Sequence, residues 1–293
     1  MKPLDTSTLP RLSPAHHRRR LARRVADAHL ALGDGTVLAL VPGSVVEDLA
    51  DERSDVDMSV VFTSLPDDAE LQAACTQAGG SPWIWSIGQR DSGSFVVAFH
   101  LAGIEVQIAY ATHARLAEQL DEVLVRHQPD TPLHKLAEGL AKAEPLAGAA
   151  ALSALQARLK VFPPPLRLAM ARHWLQAAPP WKAMNNVVHR DAALWAREIQ
   201  VEAGYRLCGL LAAVNERWFT RFQFKRLHRF AALLRQAPPA FADRLEALLA
   251  APPLEAAQQL HGLEGEVLDL VALHLPEVDV SAAQARRAQF RPD

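Results

Sequence analysis

The stretch Gly43-Ser44-Val45-Val46-Glu47-Asp48-Leu49-Ala50-Asp51-Glu52-Arg53-Ser54-Asp55-Val56-Asp57 decides how the chain is read. It follows the apolar run Thr36-Val37-Leu38-Ala39-Leu40-Val41, stopped by Pro42-Gly43, and leads into the Val-rich run Val56–Phe62. Apolar runs bounded by Pro and Gly read as strands. Side chains alternate along a strand, so Asp55 and Asp57 share one face. Two carboxylates aimed the same way repel each other unless positive charge lies between them. Mg²⁺, held by one or two carboxylates and the phosphates of a substrate, is the common solution. The stretch therefore points to phosphoryl or nucleotidyl transfer.

Working outward, Leu21, Val25, Ala28 and Leu32 fall at helical spacing and predict a helix over 14–32. A second helix is expected over 67–78, ended by Gly79-Gly80. A hairpin follows: 94–101 leads into a turn at Ala102-Gly103, and 104–110 returns. In the returning strand Ile104, Val106 and Ile108 share one face, and Glu105 and Gln107 the other. A carboxylate at the centre of an apolar strand needs a partner, because burying it alone is costly. A metal shared with Asp55 and Asp57 would supply one. Gln107 is the rival on that face, but an amide is a poorer Mg²⁺ ligand than a carboxylate. Trp83 and Trp85 read as core, with stacking on a base as the sharper option.

From about residue 129 the strand signals vanish and Ala, Leu, Arg and Glu dominate, all good helix formers. Proline clusters at 163–165, 179–180, 238–239 and 252–253 punctuate the run. Helices are expected near 113–127, 131–143, 149–161, 165–177, 189–218, 222–236, 240–250, 254–260 and 262–274. The polar stretch 281–293 reads as disordered. The fold class is α+β: a first domain over 1–128, a mixed sheet flanked by helices, then an all-α helical bundle over 129–293. No fixed-period repeat is visible, which favours a bundle over a solenoid.

Composition sets outer limits. The chain has 293 residues, 49% hydrophobic and 22% charged, enough for two domains with real cores. A formal net charge of -2 offers no global field for nucleic acid. Two cysteines, Cys75 and Cys208, are too few for a disulfide framework or a cysteine zinc site. The first residues are Arg-rich and lack the apolar core of a signal peptide, and no run reaches a membrane span, so the expected location is the cytoplasm. His16-His17-Arg18-Arg19-Arg20, with Arg23 and Arg24, reads first as a solvated helix face and second as a phosphate or nucleic-acid contact. The histidines show no His-x-x-x-His pair. There is no Walker lysine motif, G-x-G-x-x-G fingerprint or G-x-S-x-G elbow, so kinase, dehydrogenase and serine-hydrolase readings lose their main warrant.

Gly43-Ser44, Ser54-Asp55-Val56-Asp57 and Glu105 resemble the signature of the polymerase-β-like nucleotidyltransferase superfamily. The likeness is to its bacterial kanamycin and lincosamide nucleotidyltransferase branch. The resemblance implies a nucleotidyltransferase fold with a helical C-terminal domain, and Mg²⁺, one or two ions, held by Asp55, Asp57 and Glu105 as catalytic residues. It also implies an NTP contacted by Gly43, Ser44 and Ser54. Leu210–Phe219 followed by Phe224-Lys225-Arg226-Leu227 resembles the branch's helix end and the lysine after it, placing Lys225 near phosphate, with Asn215 and Asp191 as weaker candidates. Glu198 or Glu202 would be available as a general base toward the acceptor. The chain departs from the pattern where a second glycine is usual and Glu47-Asp48-Leu49 stands instead. Glu47, Asp48, Asp51 and Glu52 add negative charge beside a triphosphate, which is unfavourable unless they are directed elsewhere. The third acid is Glu rather than Asp.

The expected activity is transfer of a nucleoside monophosphate from NTP to a hydroxyl of a small-molecule acceptor, releasing pyrophosphate. A protein or tRNA acceptor is less favoured, a membrane is not expected, and a homodimer is open. The rival reading is a non-catalytic nucleotide-binding regulator or toxin–antitoxin-type partner. A plain helical interaction protein is the third.

Overall fold

Alternating apolar residues build a six-stranded sheet, and the computed structural model describes it within residues 13–33, 35–176 and 179–291. The chain divides into two units. One runs through Leu120 and adds Glu138–Val161; the other holds Asp121–Ala137 and continues from Phe162. The class is α+β.

The first unit contains α1 (Pro14–Leu30), β1 (Thr36–Val41), β2 (Val56–Phe62), α2 (Asp68–Gln77), β3 (Trp85–Gln89), β4 (Ser94–Leu101) and β5 (Ile104–Thr112). After α3 (His113–Leu124) and α4 (Leu133–Lys142), within which the division falls, come β6 (Glu144–Ala147) and α5 (Ala149–Leu159). The strand order is β3-β4-β5-β2-β1-β6. β2 and β5 run parallel; the other neighbours are antiparallel. Val56, Met58, Val60 and Phe62 of β2 and Val106, Ile108 and Tyr110 of β5 pack with Leu21 and Val25 of α1 and Leu71 and Ala74 of α2. Each Val, Leu, Ile, Met or Phe among them contributes about 1.5–3 kcal/mol on burial. This fixes the register, since a one-residue slip would turn the apolar set outward. The α2 start is capped reciprocally: Asp67 accepts from the Glu70 N–H at 2.8 Å, and Glu70 accepts from the Asp67 N–H at 2.8 Å.

β6 is a strand where the sequence showed none. It carries Pro145, which cannot donate to a ladder, and it lies at the sheet edge, paired on one side only to β1. Edge position is what lets proline sit in a strand. Gly148 then turns the chain into α5 at φ +69°. A Cβ there would collide with the Val37 carbonyl oxygen and meet the Leu38 Cα at 3.0 Å, both backbone. Gly148→Ala combines left-handed strain with this collision, and is expected to destabilise the protein by more than about 2 kcal/mol in urea unfolding. A loss below about 0.5 kcal/mol would contradict the turn as described.

Beneath the sheet, His29 is fully buried; its Nδ1 bonds to the Val25 carbonyl at 2.8 Å and its Nε2 to the Tyr110 hydroxyl at 2.7 Å. A carbonyl can only accept, so Nδ1 carries the proton and Tyr110 donates to Nε2. Burial lowers the pKa of His29, partly offset by the Val25 bond. In the second unit burial likewise lowers that of His134, against the Gln128 carbonyl and Asp130. Both rings stay neutral when folded, whereas the unfolded chain takes up protons near pH 6.5. Between the folded value and 6.5 the unfolded state binds more protons, so stability rises with pH through that window. It is complete above about pH 6.5 and lost as pH falls toward the folded values. Thermal melts should show Tm flat from pH 8 to 7 and falling from 6.5 to 5.5; a flat profile across that interval would contradict it.

The second unit comprises α6 (Pro164–Gln176), α7 (Trp181–Val187), α8 (Ala193–Val214), α9 (Leu227–Ala232), α10 (Phe241–Ala250), α11 (Pro253–His274) and α12 (Ser281–Arg287). α8 supplies the spine: Ala203, Leu207, Leu210, Leu211 and Val214 pack with Leu166, Met170 and Trp174 of α6 and Leu260, Leu263 and Val267 of α11. Among the described residues no helix is long and apolar enough to cross a membrane. Four sequence expectations are corrected here. α11 runs unbroken through Gly262, since one glycine inside a helix costs only about 1 kcal/mol. α7 begins just after Pro179-Pro180 rather than being excluded by it. α9 is shorter than expected because Arg226, at φ +65°, is its N-cap. The stretch expected to be disordered holds α12, whose Ala283, with Phe290 beyond it, is buried in the core of this unit.

Candidate active site

The first unit packs one sheet face against α1 and α2, and the acids of β2 and β5 lie on the opposite face, which also carries the buried Leu38, Leu40 and Val61. Asp55 directly precedes β2 and is half-buried, Asp57 is exposed on β2, and Glu105 and Gln107 are half-buried on β5. The parallel register sets Val56 beside Val106 and Asp57 beside Gln107. The Gln107 amide nitrogen donates to Asp55 Oδ2 at 3.0 Å and to Glu105 Oε1 at 3.0 Å. Two of the three acids picked out by sequence thus converge across a single group. Gln107 is the residue sequence reasoning undervalued, because pairing between β2 and β5 is not written in either strand alone.

The turn before the acids is built for close approach. Gly43 has φ +73°, and a Cβ there would stand 4.0 Å from Asp57 Oδ2. Gly43 begins a short 3-10 turn, Gly43–Val45, whose Gly43 carbonyl accepts from the N–H groups of Val46 and Glu47 at 3.2 Å each. Ser44 lies within this turn.

Two acids of the acid-rich loop are paired with cations from α1 and α4. Glu47 pairs with Lys142 at 3.1 Å, and Lys142 also meets Glu138 at 2.7 Å. Burial disfavours the Lys142 charge, but these two carboxylates outweigh it and raise its pKa. Asp48, at φ 53°, pairs with Arg19 at 2.9 Å, and Arg19 reaches Glu144 at 3.4 Å. Asp51 accepts from the Ser54 hydroxyl at 3.0 Å and the Arg53 N–H at 2.9 Å, which hold its carboxyl below the usual range. The Ser54 hydroxyl therefore closes the loop on itself. Arg18, buried, donates to the carbonyls of Ser54 at 2.7 Å and Glu52 at 3.2 Å, pinning the segment that delivers Asp55. Of the basic run, Arg18 and Arg19 are thus loop-holding residues.

The carboxylates suit Mg²⁺ in kind, being hard oxygen donors. Asp55 and Glu105 already converge on an electropositive amide, which is where a cation would be favoured. Among the described residues no group of three or more His, Cys, Asp or Glu could hold a metal, so Asp55, Asp57 and Glu105 are not gathered into a closed triad. The residues fit an ion taken by one or two carboxylates, with substrate phosphate completing its shell.

No protein-family model and no curated protein sequence matches the chain. Among solved structures it is similar to a nucleotidyltransferase-like protein from Exiguobacterium sibiricum 255-15. The two are 14% identical, with a TM-score of 0.40, over 89% of this chain and 79% of that one.

The remaining sequence candidates, Trp83 apart, lie in the second unit. Lys225 is exposed in the loop before α9, in the second unit. Asn215 is a structural clamp: its side chain donates to the carbonyls of Leu211 at 2.7 Å and Gln236 at 2.8 Å, and accepts from the N–H groups of Arg235 and Gln236. Its hydrogen-bonding capacity is filled, which removes it as a nucleotide contact. Asp191 and Glu198 are exposed, and Glu202 pairs with Arg221 at 2.8 Å. Trp83 packs on Phe95 with ring centres 6.2 Å apart, as core.

Proposed function

We propose that the chain is a Mg²⁺-dependent nucleotidyltransferase that moves a nucleoside monophosphate from an NTP to a hydroxyl of a small-molecule acceptor. The observation that carries this reading is the convergence of Asp55 and Glu105 on one electropositive group, with Asp57 beside the Gly43 turn. One or two of Asp55, Asp57 and Glu105 would hold the ion, with substrate phosphate completing its shell. When bound, it would neutralise charge on the triphosphate and on the oxygens exchanged at phosphorus. Gly43 leaves room for phosphate at the turn, where Ser44 would offer its backbone N–H. Glu105 would accept the proton of the incoming hydroxyl. The hydroxyl oxygen bonds to the α-phosphorus as the bond to the bridging oxygen breaks, and pyrophosphate leaves. Pairing of Glu47 and Asp48 with Lys142 and Arg19 supports this reading, because it offsets two of the four charges that the acidic loop would set beside a triphosphate.

Each NTP is incubated with the protein, Mg²⁺ and a panel of hydroxylated acceptors, and pyrophosphate is measured. Acceptor-dependent release is the expected result. The Gln107 tie favours one alternative, a nucleotide-binding protein that does not turn over; tight NTP binding without release under any condition would establish it instead. An interaction protein with no nucleotide site would show no rise in Tm, whereas an NTP at about 100 times its Kd adds about 2.7 kcal/mol.

A further inference from the structure

Gln107 stands where the proposed reaction needs a cation. A side-chain amide has two hydrogens to donate, and both are taken: one by Asp55 Oδ2, one by Glu105 Oε1, each at 3.0 Å. These come from different segments, Asp55 from the loop leading into β2 and Glu105 from β5. The amide is therefore the cross-link that allows two like charges to sit together in the free protein. A divalent ion entering between them must displace it, breaking two charge-assisted hydrogen bonds. An ion alone offsets that loss only through the two carboxylates, while an ion carried on a triphosphate would add contacts with the turn at Gly43.

We infer that Gln107 is a built-in cation surrogate that keeps the Asp55–Glu105 pair closed to free divalent metal and opens it to the metal–nucleotide complex. The inference rests on the proposed nucleotide site. It assigns Gln107 a positioning role: it acts through the two carboxylates, and its consequence is order of binding, nucleotide with metal rather than metal first. The position also governs how many charges the site presents. A carboxylate at 107, beside Asp57 in the strand register, would complete a metal-binding set that is absent among the described residues of the wild type.

The test is Mn²⁺ binding to the full-length protein without nucleotide, followed by electron paramagnetic resonance of the free ion, with Tm read in parallel in EDTA and in Mn²⁺. The variants are Gln107→Glu and Gln107→Ala. Wild type should bind Mn²⁺ weakly and show little change in Tm. Gln107→Glu should bind at least tenfold more tightly, with a Tm depressed in EDTA and restored by Mn²⁺. Gln107→Ala, which removes the tie without adding charge, should melt lower in EDTA and gain more from Mn²⁺ than wild type gains; it serves if the Glu variant does not fold. Asp55→Asn in the Gln107→Glu background should return the affinity to the wild-type level. Equal Mn²⁺ affinity, within twofold, for wild type and the folded variants would overturn the inference. That outcome differs from failure of the proposed function, which is read from pyrophosphate release and NTP binding.

Discussion

Asp57→Asn is expected to lower NTP-dependent pyrophosphate release by on the order of a hundredfold or more, with Tm within about 2 °C of wild type. The two halves of this result have separate causes. Asp57 is exposed on β2 between the buried Val56 and Met58, so its carboxylate has no part in the core that holds the strand. Asparagine keeps its shape and removes its charge. In the proposed reaction that charge acts on the metal–triphosphate complex, where loss of one preorganised electrostatic partner costs a few kcal/mol of barrier. The Tm increase given by Mg²⁺ with NTP should shrink in the same variant. Asp51→Asn is the contrast. Its carboxylate is turned to the Ser54 hydroxyl and the Arg53 N–H, so its turnover should stay within a few-fold of wild type. Equal activity in Asp57→Asn and wild type would remove this aspartate from the chemistry.

The second large effect lies in the helical unit and concerns stability. Arg206→Met should destabilise the protein by about 3–5 kcal/mol in urea unfolding. Arg206 and Glu264 are both fully buried, 2.5 Å apart, and Glu264 also accepts from the Trp181 indole N–H at 2.6 Å. Arg206 in turn donates to the Trp174 carbonyl at 2.9 Å. Burial lowers the Arg206 pKa, and the Glu264 charge opposes that shift. Removing the arginine leaves a buried carboxylate without its direct ion-pair partner, which is the source of most of the loss. The pair Arg206→Met with Glu264→Leu removes both charges and should recover most of it, because well-packed apolar groups replace buried ion pairs at little or no net cost. A double variant as unstable as the sum of the two single ones would show that the bridge itself, rather than the orphaned charge, carries the energy.

Much of this could be read along the chain, and what could not has a common cause. β2 and β5 announce themselves because alternate residues face one core, and the same period puts Asp55, Asp57, Glu105 and Gln107 on one side. The helix over 67–78, stopped by Gly79-Gly80, is signalled locally, and so was legible. β6 was not, because Glu144-Pro145-Leu146-Ala147 is too short to show a period and holds a proline. The helix over 281–287 was hidden for a similar reason: its sequence is polar, and its order comes from burying Ala283 in a core built elsewhere. At the site, local reading counted charges and missed their partners. Glu47 and Asp48 crowd a triphosphate only until Lys142 and Arg19 are brought to them by α4 and α1. Gln107 reads as a weaker ligand than Glu105 until the parallel register sets it beside Asp57 and its amide spans the two acids.

The edge strand β6 also bears on the order in which the protein is made. Its partner β1 leaves the ribosome about a hundred residues earlier, and at about 5–20 residues per second waits several seconds for it. In that interval β1 is an open sheet margin, a template for pairing with another nascent chain. Residues 121–137 of the helical unit emerge before β6 does, so the sheet closes only after its neighbour's first segment has been synthesised. A pause in translation after residue 128 would lengthen the exposure, and a pause placed after β6 has left the ribosome would not.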